Sequence, residues 1–221
     1  MLSQDIKGIV LVDVTPLTLG IETDGGIVTP VIHRNSTIPI TETKMFTTVA
    51  DNQDSVEIIV TQGERTLAKD NITLGKFELT NIRKAGKGEP RIEVKFDIDV
   101  NGILNVSATD TFTGSSQEII ISSRNSLAEE EIERMIKEAE IHLSEDRGIR
   151  REAELRQKIE DELFRMKKLV MRKREKIEKN KEEQIEKLIE SAENEAQEKG
   201  ISDLEEILKK LDEKIEFLTK L

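Results

Sequence analysis

Arg91-Ile-Glu-Val-Lys-Phe-Asp-Ile-Asp99 alternates apolar and charged residues, which sets Ile92, Val94, Phe96 and Ile98 on one face of a β-strand. Asn101-Gly102 follows with the residue types that accept positive φ in a hairpin turn, and Ile103–Ala108 returns as the antiparallel partner. Asp24-Gly25-Gly26 similarly separates Leu17–Thr23 from Ile27–Ile32. Met45–Ala50, Val56–Gln62 and Gln117–Ser122 complete a set of short strands. Regularly spaced strands of this kind predict an antiparallel β-sandwich.

The grammar changes near residue 124. All four prolines and ten of the twelve glycines precede it, and Val, Ile and Thr give way to Glu, Lys, Leu and Ala. Ser126-Leu-Ala-Glu129 reads as a capping box, followed by a stripe of Ile132, Ile136, Ala139 and Leu143. A longer stripe runs from Ile149 through Ala153, Ile159, Leu163 and Met166 to Val170. Lys181–Lys199 makes a third helix, ended by Gly200, and Ser202-Asp-Leu-Glu205 caps a fourth. The last two stripes are expected to bury each other as an antiparallel pair. The fold class is therefore α+β, an antiparallel β-sandwich followed by an α-helical bundle, with elements segregated along the chain.

Composition excludes several functions. A net charge of -11 argues against nucleic acid or an anionic membrane as partner. No Cys is present for a disulfide or thiolate site, and no apolar run approaches the roughly 20 residues of a membrane span. His33 and His142 stand in no local catalytic motif. Gly86-Lys87-Gly88 lacks the strand and helix that flank a phosphate loop. No catalytic residue and no metal site are expected. The apolar residues Leu19, Ile21, Phe46, Val56 and Ile58 stand near turns of the β-half. They read either as sandwich core or as a pocket that takes one apolar side chain of an extended peptide bound along a strand edge.

Ile9-Val-Leu-Val-Asp-Val-Thr-Pro-Leu-Thr-Leu-Gly-Ile-Glu-Thr23 resembles the interdomain linker and first strand of the DnaK-type, seventy-kilodalton heat-shock chaperones. Thr61-Gln-Gly-Glu-Arg65, Asp70-Asn71, Leu74-Gly75-Lys76-Phe77, Ile92–Asp99 and Asn101-Gly-Ile-Leu-Asn-Val-Ser-Ala108 are similar to the same family in order and spacing. The resemblance is dense from about residue 6 to 147 and implies the family's C-terminal substrate-binding part, without the ATPase. It implies a linker at 1–14, a peptide-binding β-sandwich at 15–123 and a helical lid at 124–221.

Position by position, the resemblance implies a peptide pocket of Leu19, Ile21, Phe46, Val56, Ile58 and Ile92. It implies backbone and arch contacts from Thr23, Asp24, Thr47, Val49 and Gln53, and a lid latch of Asp51, Lys87 and Phe164. Val10, Leu11, Asp13, Arg34 and Pro39 fall at positions of interdomain coupling. The implied function is chaperone binding of extended hydrophobic segments of unfolded polypeptides in a cleft closed by the lid, in protein folding and stress response. No enzymatic activity and no cofactor are expected in this stretch, ATP and Mg belonging to the ATPase. Implied partners are unfolded or extended hydrophobic peptides, with a J-domain co-chaperone and a nucleotide-exchange factor. The chain is expected as a monomer or weakly self-associated through linker or cleft, in bacterial cytoplasm or an organelle stroma or matrix, a plastid included. The alternatives are a specialised relative with narrow clients, such as an iron–sulfur assembly chaperone, and a coiled-coil adaptor without peptide binding.

Overall fold

The computed structural model describes residues 13–122, 127–173, 177 and 179–220. The chain divides into two compact units, Met1–His142 and Leu143–Leu221. Eight strands, one α-helix and two short 3-10 turns (Asp24–Gly26 and Ala68–Asp70) make the described part of the first unit: β1 (Leu19–Thr23), β2 (Ile27–Ile32), β3 (Ile40–Phe46), β4 (Ser55–Gln62), β5 (Ile72–Thr80), β6 (Ile92–Ile98), β7 (Leu104–Asp110), β8 (Ser116–Ile121) and α1 (Glu129–Ile141). They form two four-stranded sheets, ordered β2-β1-β4-β5 and β3-β6-β7-β8, with every neighbouring pair antiparallel.

The alternation in β6 does what its period demands. Ile92, Val94, Phe96 and Ile98 are buried, while Glu93 and Lys95 are exposed. Across the ladder Val94 faces Ala108, Phe96 faces Val106 and Ile98 faces Leu104. These inward residues join Leu19, Ile21, Ile32, Ile58, Val60 and Leu79 of the other sheet in one apolar core. Each such side chain contributes about 1.5–3 kcal/mol by leaving water.

Several sequence expectations shift. The hairpin turn after β6 is longer than the two residues Asn101-Gly102. Asp99 caps it by accepting from the backbone of Asn101 (2.8 Å) and Ile103 (2.9 Å), so β7 begins at Leu104. The strand expected at Met45–Ala50 is instead Ile40–Phe46, and Phe46 ends it rather than beginning it. As an edge strand, β3 exposes Thr41 to Met45, and its polar sequence hid it. β5 escaped the pattern for another reason. Its apolar residues change parity between Leu74 and Phe77, because a bulge at Val60/Thr61 moves the pairing from Gly75 to Thr73.

Ser126 of the expected capping box lies outside the described residues, and α1 starts after Ala128, with no side-chain cap among the described residues. Met135 is its buried residue, and its Cε would stand 3.1 Å from a Cβ placed on Gly63.

The second unit holds α2 (Leu143–Lys173), α3 (Lys179–Glu198) and α4 (Ile201–Lys220). Leu143, expected inward, is exposed at the helix start, and α4 begins at Ile201, ahead of the Ser202 expected to cap it. Leu155, Ile159, Leu163 and Met166 of α2 pack with Leu204, Ile207, Leu211, Ile215 and Leu218 of α4, and Ile185, Ile189 and Ala192 of α3 close the core. The main pairing is α2 with α4, not the expected pairing of the last two helices. Polar ties run the same way. Arg151 pairs with Glu205 at 2.9 Å, and Lys173 Nζ donates to the carbonyls of Leu218 (2.8 Å) and Thr219 (3.0 Å) at the α4 C-terminus.

Candidate functional site at a split in the first sheet

β1 and β4 pair along part of their length. Leu19, Gly20 and Ile21 face Gln62, Thr61 and Val60, and there the pairing ends. Glu22 and Thr23 of β1 continue beside β2, while Ser55–Ile59 of β4 continue beside β5. Between these diverging segments both strands have backbone edges that no strand of the sheet covers. Such edges can accept an added extended chain.

The six expected pocket residues divide into two groups. Leu19, Ile21, Ile58 and Ile92 are buried in the core. Phe46 and Val56 are half-buried and pack against that core. Ile21 therefore stands below the split rather than open within it.

The surrounding loops are tied together. Thr23 Oγ1 donates to the Ile27 carbonyl at 2.9 Å, and exposed Asp24 accepts from the Gly25 amide at 3.0 Å. Thr47 Oγ1 donates to the Pro90 carbonyl at 2.7 Å. Gln53 accepts from the Val49 amide (3.2 Å) and donates to the Ser55 carbonyl (2.7 Å), leaving the Val49 side chain half exposed. Thr23, Thr47 and Gln53 thus commit these groups to holding loops. Asp51 accepts from the Lys87 amide at 2.7 Å, which brings two expected latch residues together. Phe164, the third, lies in the other unit, exposed, with Lys168 Nζ 4.0 Å from its ring centre.

Val10 and Leu11 lie outside the described residues, as does the rest of the expected linker up to residue 12. The Asp13 main-chain carbonyl accepts from the Ile38 amide at 2.9 Å, and the Arg34 amide donates to Thr18 Oγ1 at 3.2 Å. Pro39 follows a cis peptide bond. These three fall in two neighbouring segments, joined also by a Val14–Thr37 bridge.

Two residues of the site region escaped the sequence reading. Thr48 is buried, and its hydroxyl has no hydrogen-bond partner among the described residues. Asp110 is fully buried and accepts from the amides of Arg83 (2.6 Å), Phe112 (2.7 Å) and Thr113 (3.3 Å). Desolvation pushes the Asp110 carboxyl up, but the amides of Arg83, Phe112 and Thr113 together hold it below its ordinary value. Its signal was present in the sequence, an Asp closing a strand four residues before Gly114.

A family model described as Hsp70 protein matches residues 1–221. The chain belongs to the Hsp70 family. The chaperone protein DnaK of Methanothermobacter thermautotrophicus is 49% identical over 189 residues, covering 86% of this chain and 32% of that relative. The chain thus spans about a third of the length of the curated relative it matches. Hsp70 proteins are ATP-binding chaperones of protein folding and stress response.

The match corrects the finer expectations. It runs over every residue of the chain and singles out no substrate-binding part. The identification as a substrate-binding region lacking its ATPase is therefore withdrawn, and with it the functional assignment built on that partition. The exclusions of enzymatic activity and of a cofactor fall too, because the Hsp70 match that covers the chain is to a family that uses ATP with Mg. Tested against this fold, ATP and Mg find no fit among the described residues. Gly86-Lys87-Gly88 lies in a turn between β5 and β6 with no helix behind it, and no group of three or more His, Cys, Asp or Glu side chains is placed to hold a metal. No step is derived through the nucleotide. Among the described residues, no helix is long and apolar enough to cross a membrane.

Proposed function

We propose that this Hsp70-family chain serves in chaperone action of protein folding and stress response, and that the split between β1 and β4 is a place where an extended chain can add as a strand. The observation that carries the reading is the end of β1–β4 pairing at Ile21 and Val60, which leaves two strand edges, with half-buried Val56 on the diverging part of β4. Backbone hydrogen bonds to those edges tolerate any guest sequence, and half-buried Val56 rewards Leu or Ile. The core shared by both sheets supports a sandwich as the rigid support of this site. J-domain and nucleotide-exchange partners and a cytoplasmic setting are part of the same proposal, with the Hsp70 family match as their support.

The test is an anisotropy titration of a labelled Leu-rich peptide against the wild-type chain and Val56→Phe. The larger ring crowds the β4 side of the split and displaces an apolar guest side chain whose burial is worth about 1.5–3 kcal/mol, so affinity falls at least tenfold. Unchanged affinity, with the far-ultraviolet spectrum of the variant intact, removes the split as the binding site.

A further inference from the structure

The turn between β7 and β8 presents Phe112, 71% exposed, with the Arg83 guanidinium over its ring at 4.5 Å. A single exposed apolar residue carries little meaning. This one is held by its main chain. Asp110 fixes the amides of Phe112 and Thr113, Thr111 donates from its amide to the Arg91 carbonyl (3.0 Å), and Ser115 Oγ donates to the Thr80 carbonyl (2.7 Å). The turn is therefore bound to both ends of the β5–β6 connection. Arg83 is anchored as well, its own amide donating to Asp110 at 2.6 Å.

The Arg83 side chain is exposed, and no acceptor among the described residues engages its guanidinium. Arg65, Arg134, Arg151, Arg156 and Arg165 each have a carboxylate within salt-bridge distance. Stacking on a ring confines the planar fork while leaving its N–H edge free for a carboxylate, which it can grip through two bonds. In a chain of net charge -11, such a site admits an acidic group that the rest of the surface repels.

We propose that Arg83 and Phe112 form a docking point for an acidic peptide segment in which a carboxylate side chain adjoins an aromatic one. The carboxylate pairs with the Arg83 fork, and the aromatic ring lies on the open surface of Phe112. The point is separate from the β1–β4 split and stands or falls without it.

The probe is a fluorescein-labelled peptide with a central Glu-Phe pair flanked by Gly, Ser and Asn, titrated by anisotropy with the full chain. Exchanging the peptide Glu for Gln, or Arg83→Lys in the protein, weakens binding about tenfold, the loss expected for a two-pronged charge-assisted contact. Phe112→Ser weakens it as well, whereas Val56→Phe leaves it unchanged. Both altered side chains are exposed, so the variants fold, which circular dichroism checks. Absence of binding to the wild type overturns the proposal. So does equal affinity for wild type and Arg83→Lys, which leaves bulk charge as the cause, and so does loss of binding in Val56→Phe, which moves the peptide to the split.

Discussion

Replacing Asp110 by Asn tests whether one buried carboxylate holds the β5–β6 connection and the β7–β8 turn in place. The two carboxylate oxygens divide the work, Oδ2 accepting from Arg83 and Oδ1 from Phe112 and Thr113. An Asn side chain has one acceptor oxygen, so an amide N–H on the other side meets an NH₂ group. A hydrogen bond to a charged group is worth about 1.5–3 kcal/mol, and the stranded donor adds to its loss, for a total of about 2–4 kcal/mol at neutral pH. For a unit of this size that lowers the melting temperature by about 10 °C.

The pH dependence has a definite sign. The folded carboxyl titrates below its ordinary value, so its stabilisation is fully present above the unfolded pKa of about 3.9 and is lost as pH falls through the folded pKa. The gap between wild type and variant is therefore constant from about pH 7 to 5 and closes below about pH 4. The chain has no Trp or Tyr to report unfolding by fluorescence, so scanning calorimetry is the assay, with the β-sheet and helical units as separate transitions. An unmoved β-sheet transition at pH 7, or a gap as wide at pH 3 as at pH 7, refutes the reasoning.

Thr48→Val removes a buried hydroxyl that has no partner among the described residues while keeping the side-chain shape, and raises the β-sheet transition by up to about 1–2 kcal/mol in equilibrium urea unfolding. A loss of stability would mean that the hydroxyl is satisfied. Leu211→Ala empties a fully buried position between α2 and α4, costing about 2–5 kcal/mol and lowering the helical transition alone. A shift of both transitions together would contradict two independently cooperative units.

The parts of the fold legible in the sequence are those with an unbroken period. β6 and β7 each keep one face inward for their whole length, and their alternation reads directly as burial. β5 does not, because its bulge swaps the inward parity midway, and β3 does not, because an edge strand buries little besides its ends. Helical stripes revealed which residues face inward but not which helix receives them, so the α2–α4 pairing had to come from the structure. The candidate site shows the same limit. Apolar type marked Ile21, Phe46 and Val56 alike, yet Ile21 is buried and the other two are half-buried, and where β1 and β4 stop pairing is nothing that periodicity records.

Gly75 offers room that Ile119 uses: a Cβ there would meet Ile119 Cδ1 at 2.8 Å, so the outer strands β5 and β8 close on each other. On the opposite side Pro30 in β2 has no amide to donate, and its carbonyl accepts from Lys44 Nζ of β3 at 3.2 Å. Both lateral seams are thereby blunted with the devices that discourage a foreign strand from zipping on. A foreign strand is thus turned away at the flanks, while the fork where β1 and β4 part keeps its main-chain groups uncovered by either neighbour in the sheet.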